Sequence, residues 1–139
     1  MKVKDIMSKN VVAVRDGESV KNAAEQMEKF GIGFAPVKNS EGDLCGIVTD
    51  RDLVVRGLAG GKETVKEVMT TDLITISPEN SVIEAARLMA RAKVRRLPVT
   101  NKMKTVGVLS LSDISRAEDM FAETAEAFCD ICSDFSDDL

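Results

Sequence analysis

Apolar residues in this chain fall into two kinds of period, and each kind occurs twice. The runs "VVAV" (11–14) and "LITI" (73–76) are short, β-branched and bounded by turns, which predicts strands. Each is followed by a serine, Ser19 or Ser81, and then by apolar residues at helical spacing. Val20, Ala23, Ala24, Met27 and Phe30 form one stripe, and Val82, Ala85, Ala86 and Met89 the other. Ser81 with Glu84 reads as a capping box. Further on, "GFAPV" and "RRLPV" predict strands, "NSEGD" and "NKMK" predict turns, and "LCGIV" and "TVGVL" predict apolar strands. A second helix then opens in each half at Thr49 and at Ser110, with Asp52 and Asp113 three residues on.

The pattern repeats because the sequence repeats. With residue n laid on residue n+62, "VKDIMSKNVVAV" meets "VKEVMTTDLITI", and residues 3–44 give 11 identities in 42 positions. Average composition would give roughly two or three. A one-residue deletion then brings Gly46, Thr49 and Asp52 onto Gly107, Ser110 and Asp113. A unit of this size buries too little surface to stand comfortably alone. The expected fold class is therefore α/β (α+β): two β-α-β-β-α units packed sheet to sheet about a pseudo-twofold axis, with two symmetry-related clefts. The expected boundaries are 1–58 and 64–116 for the units, 59–63 for a glycine-rich linker, and 117–139 for an acidic C-terminal helix.

Composition narrows the chemistry. The chain has no His, Trp or Tyr, so the commonest general base, the commonest metal ligand and two favoured base-stacking residues are missing. The expectation is a protein that is not an enzyme and holds no metal, and nucleic-acid binding lacks aromatic support. No apolar run approaches the roughly 20 residues that span a bilayer, and three cysteines do not make a disulfide framework. A cytoplasmic location follows as the expectation. All 19 Lys and Arg lie at or before Arg116 and eight of the 23 acids lie after it, so the body carries +4 and the tail −8. An anionic small ligand is compatible with such a body.

Thr49 and Ser110 as N-caps, with Asp52 and Asp113 at N3, give the plainest account of the Thr/Ser-x-x-Asp pairs. The same geometry suits a nucleoside: hydroxyl and backbone N–H groups for phosphate, and a carboxylate for the two ribose hydroxyls. Here the sequence resembles the cystathionine beta-synthase (CBS) domain, found in tandem as the Bateman module. The resemblance covers roughly residues 1–116 and rests on "DIMS" and "EVMT", "APV" and "LPV", and "GIVTDRDL" and "GVLSLSDI". It implies clefts for AMP, ADP, ATP or S-adenosylmethionine that regulate a partner, with no cofactor required, and pairing of two modules into a homodimer. It also implies that Thr49 with Asp52 and Ser110 with Asp113 hold phosphate and ribose.

An adenine ring needs a flat apolar slot, which Val12 with Ala35 and Pro36, or Ile74 and Ile76 with Leu97 and Pro98, would supply. Ordinary core is the competing role for these valines and isoleucines. Prolines 36 and 98 lack an N–H and are expected at a strand edge. One difference between the halves is informative: Lys93, Arg95 and Arg96 stand where the first repeat has Gly31, Gly33 and Phe34. The second cleft is expected to grip phosphate better, and the first to be more open.

In the tail, Phe121, Ala125, Phe128, Cys132, Phe135 and Leu139 fall at heptad spacing on an acidic helix. That seam is expected to dock, and Phe121, Phe128 and Phe135 are the candidate contacts for a protein partner. Cys129 and Cys132 spell C-x-x-C, but zinc would need two more ligands, and Cys132 already fits the seam. Two functions remain in view: a sensor of an adenosine-containing nucleotide, and a ligand-free adaptor acting through the acidic helix.

Overall fold

The structure of the chain, a computed structural model, describes residues 1–117 and 119–136. The Phe135 side chain and all of Leu139, both assigned to the tail seam, lie outside what is described. In chain order the elements are α1 (Val3–Ile6), β1 (Val14–Arg15), α2 (Val20–Phe30), β2 (Phe34–Lys38), β3 (Leu44–Thr49) and α3 (Asp50–Asp52). α3 runs straight into a π-helical stretch (Leu53–Ala59), so helix continues almost to the glycines of the expected linker. Next come α4 (Val65–Val68), α5 (Val82–Ala92), β4 (Arg96–Asn101), β5 (Lys104–Ser110), α6 (Leu111–Ser115) and α7 (Phe121–Ser136).

The chain packs as two bodies whose limits cross the repeat. One, the repeat-one body, is Val11–Leu73 with Met103–Thr105; the other, the repeat-two body, is Met1–Asn10 with Ile74–Lys102 and Val106–Leu139. Each opening motif therefore folds with the opposite repeat. In the repeat-two body, Val3 N donates to Asn80 O and Val82 N to Met1 O, at 2.9 and 3.1 Å, and Ser8 bridges Val108. In the repeat-one body, Val65 N donates to Glu18 O and Val20 N to Glu63 O, at 2.9 and 2.8 Å, and Thr70 bridges Ile47. The close approach is why both β3 and β5 carry glycine. A Cβ on Gly46 would lie 2.6 Å from Met69 Sδ, and one on Gly107 would lie 2.6 Å from Met7 Sδ. The shared "DIMS" and "EVMT" openings are thus two copies of one lid-on-strand contact.

The repeat-one body holds a three-stranded sheet in the order β1-β2-β3, with β1 parallel and β3 antiparallel to β2; β4 and β5 form a second sheet. Two expectations change here. Of "VVAV" only Val14 enters a strand, because β2 pairs with β1 at Val37 and ends at Lys38. Of "LITI" only Ile76 pairs, in a single parallel bridge to Val99. Their β-branched residues serve burial, as the fully buried Val14 and nearly buried Ile76 indicate. Pro36, expected at an edge, lies on the central strand β2 opposite Ile47. Ile47 exchanges its N–H and carbonyl with Thr70, so the missing proline N–H falls on the β1 side, where the ladder starts one residue later at Val37.

The helices begin as their serines predict. Ser19 Oγ accepts from Asn22 N at 3.0 Å, and Ser81 and Glu84 form the reciprocal box, at 3.1 and 3.0 Å. In α5 the stripe Val82, Ala85, Ala86 and Met89 is buried. In α2 it narrows to Ala23 and Met27, with Val20 half-buried, while Ala24 and Phe30 are exposed. The difference has a visible cause: α7 packs along α5 within the repeat-two body and widens the face that α5 buries.

α7 does not dock by the expected seam. Its buried residues are Ala127 and Ile131, continuing Met120, whereas Phe121, Ala125 and Phe128 are exposed. Packing on this face sets Glu123, Glu126 and Asp130 beside Arg87 and Arg91 of α5, around one cavity. A helix turned to bury the phenylalanines would carry those acids away from the two arginines.

Candidate functional site

Strand β3 ends at Thr49 and strand β5 at Ser110, and the two corners are built alike. Thr49 Oγ1 accepts from Asp52 N at 3.2 Å while Asp52 Oδ2 accepts from Thr49 N at 2.9 Å. Ser110 Oγ accepts from Asp113 N at 3.1 Å while Asp113 Oδ2 accepts from Ser110 N at 2.9 Å. The reciprocal bonds satisfy orphan donors of the helix start and fix the direction of each carboxylate. The capping role is therefore real in both copies.

Each acid keeps its second oxygen for an arginine that sequence reasoning missed. Asp113 Oδ1 accepts from Arg116 Nη2 at 2.8 Å, and Asp52 Oδ1 stands 3.9 Å from Arg56 Nε. Both carboxylates are mostly covered, at 16% exposure, while the arginines are more than half exposed. Helical spacing of three or four residues after the acid was the available signal. A diol reaching either carboxylate meets it already engaged, loosely at Asp52 and tightly at Asp113.

In the repeat-two body, Arg95, Arg96 and Ser110 border one cavity of about 330 Å³. Both arginines reach it, since β4 starts only at Arg96 and Leu97 and Val99 turn fully into the core. Leu111 N donates to Arg95 O at 2.8 Å and ties the strand end to the start of α6. Ser112, Ser115, Thr124 and Phe128 also line this cavity, and none was singled out for it beforehand. Ser110 and Ser112 hydroxyls share a 2.9 Å hydrogen bond, and Ser115 Oγ donates to Ser112 O at 2.7 Å. Asp113 does not line the cavity among the described residues, nor do Ile74, Ile76, Leu97 and Pro98. Ile76 and Leu97 are core, and Ile74 packs against that core.

In the repeat-one body the corresponding hollow lies by Gly31, Gly33 and Asp50 and is larger, about 510 Å³. Gly31 ends α2 at φ 64°, a left-handed position that Lys93 fills in the other repeat at φ 57°. A separate cavity of about 290 Å³ brings Pro36 together with Val11, Ala13, Lys38 and Lys104. Val12, the expected slot residue, gives way there to its two neighbours, the signature of side chains alternating along extended backbone. Ala35 is fully buried, and neither Thr49 nor Asp52 reaches this cavity among the described residues. Among the described residues no helix is long and apolar enough to cross a membrane. Cys129 is exposed and Cys132 half-buried, both as free thiols.

Comparison with known proteins agrees with the duplicated corners. A family model described as the CBS domain matches twice, over residues 3–57 and 65–119. The CBS domain-containing protein YhcV of Bacillus subtilis is 36% identical over 116 residues, covering 81% of this chain and 82% of its own. The CBS domain pair of MJ0100, solved in complex with 5′-methylthioadenosine and S-adenosyl-L-methionine, is 32% identical with a TM-score of 0.77, over 84% of this chain and 94% of that one. CBSX2, solved in complex with AMP, is 27% identical with a TM-score of 0.75, over 83% and 93%. Two matches of equal length in one chain, on a mixed α+β fold shared with solved CBS pairs, make this chain a member of the CBS-domain family, carrying two such domains in tandem.

Proposed function

We propose that this chain is a non-catalytic regulatory module that binds an adenosine-bearing ligand, one of AMP, ADP, ATP or S-adenosylmethionine, and passes its occupancy to a partner or to its own homodimer. The observation that carries the reading is the pair of matching Thr/Ser-x-x-Asp corners, one with Arg95 and Arg96 beside its serine around a cavity. Guanidinium and hydroxyl groups suit a phosphate or carboxylate, and a directed aspartate suits a ribose diol. The adenosine compounds held by MJ0100 and CBSX2 support the ligand class. Thr49, Asp52, Ser110, Asp113, Arg95 and Arg96 are the proposed polar contacts. Pro36, with Val11 and Ala13, is the proposed apolar slot of the first repeat.

Without Trp or Tyr the chain barely absorbs at 280 nm. Purified protein should therefore release a clear 260 nm absorber on denaturation, and calorimetric titration should rank the four compounds. Binding of none of them would remove this reading. A second reading, an adaptor working through α7, is favoured by the 80% exposure of Phe121. It predicts partner capture that is indifferent to nucleotide.

A further inference from the structure

The tail helix has a place at the second-repeat cavity that its sequence did not announce. Around α7, Glu123, Glu126 and Asp130 occupy the flank that meets Arg87 and Arg91. Thr124 and Phe128, four residues apart, occupy the other flank and border the cavity of Arg95, Arg96 and Ser110. Between them Met120, Ala127 and Ile131 are buried. A strongly acidic helix thus approaches an arginine-bearing strand end without placing a carboxylate among the described residues of that cavity.

We infer that Phe128 belongs to the ligand site of the second repeat, and that a phosphate-bearing ligand and docked α7 stabilise one another. The inference rests on the proposed nucleotide-binding reading and adds its means of regulation. Thr124 Oγ1 donates to Met120 O at 2.6 Å, which leaves the Phe128 ring as the tail's adaptable contact to the cavity. That ring is 53% exposed, so closing on a ligand buries more apolar surface and removes water beside the arginines. If the ligand holds the helix, the helix must hold the ligand to the same degree. α7 then carries occupancy outward, to the flank where Phe121 is exposed.

The test uses the full chain. AMP, ADP, ATP and S-adenosylmethionine are titrated into wild type, Phe128→Ala and Phe121→Ala, and amide hydrogen exchange of residues 121–133 is followed with and without the tightest binder. The expected result is a loss of roughly tenfold or more in affinity for Phe128→Ala, a change under about twofold for Phe121→Ala, and slower exchange in α7 on binding. Equal or tighter binding by Phe128→Ala, or α7 exchange unmoved by ligand, overturns the coupling and leaves the nucleotide-binding reading standing. No binding by wild type removes both.

Discussion

Arg116 donates from Nη2 to Oδ1 of Asp113 at 2.8 Å, while the other oxygen of the same carboxylate caps Ser110 N. At the matching corner Arg56 stands 3.9 Å from Asp52. A ribose binding at Asp113 has to displace the arginine or share the oxygen with it. Removing that competitor should tighten nucleotide binding, so Arg116→Ala is expected to raise affinity by roughly threefold to tenfold, worth up to about 1.4 kcal/mol. Asp113→Ala should weaken binding more than Asp52→Ala. Calorimetry on the three variants checks both statements, and the reverse order for the aspartates would shift the principal site to the first repeat.

The glycines under the opening motifs should resist substitution. A Cβ on Gly107 would lie 2.6 Å from Met7 Sδ and 2.9 Å from Ser8 O, and the backbone oxygen cannot swing away. Gly107→Ala is expected to cost about 1–3 kcal/mol, as overpacking does. Gly46→Ala, facing Met69 Sδ and Thr70 O, should cost about as much by the same principle. Urea denaturation of each gives the number.

The turn between β4 and β5 offers a stabilising change. Lys102 and Met103 both have positive φ, 50° and 69°, in a two-residue connection of the kind that prefers Asn-Gly. Met103 is exposed. Met103→Gly should therefore stabilise the protein by about 1 kcal/mol, because the left-handed conformation no longer crowds a Cβ. A higher midpoint in thermal denaturation is the expected outcome.

Which face of α7 matters can be read from two substitutions. Ile131 is 7% exposed in the core of the repeat-two body, and Phe121 is 80% exposed. Ile131→Ala should cost about 2–4 kcal/mol and Phe121→Ala less than about 0.5 kcal/mol. Similar losses at both positions would mean that the phenylalanine face is covered in solution.

Glu79 sets a pH dependence. Hydrogen bonds from Lys2 and Lys4, at 2.7 and 2.9 Å, hold its carboxyl at about 2, well below the ordinary 4.5. Because the folded value is depressed, the stabilisation is complete above the unfolded value and disappears as pH falls from about 4.5 through about 2. The Glu79 side chain is 57% exposed, so salt screens the effect. Thermal scans should show wild type losing slightly more stability than Glu79→Gln between pH 5 and pH 2.5, as order-of-magnitude bounds from that linkage. The difference should vanish in high salt.

The duplication, the serine caps and both Thr/Ser-x-x-Asp corners were legible because each is a local pattern seen twice. Equal spacing in two copies separates a built feature from a chance one, and caps involve neighbours only three residues apart. The cavity walls were less legible. Val11 and Ala13 replace Val12 because a shift of one residue along extended chain reverses which side a residue faces. Arg56 and Arg116 escaped notice because an arginine one turn after an acid is a common surface pair.

The tail marks the boundary between the two kinds of information. Its sequence alone determined that it is acidic, helical and amphipathic, since those properties reside in residue type and period. Its heptad spacing pointed to the face of the phenylalanines, and the structure buries the face of Met120, Ala127 and Ile131 instead. Only the tertiary structure chose between them, because the choice depends on where Arg87, Arg91 and the apolar flank of α5 lie in space. The same holds for the opening motifs: sequence shows that "DIMS" and "EVMT" are copies, and the fold alone has each covering a glycine of the other's repeat. Periodicity marks the faces a segment could bury; which of them is buried, and against what, is a long-range property that burial energy settles only once the chain has closed.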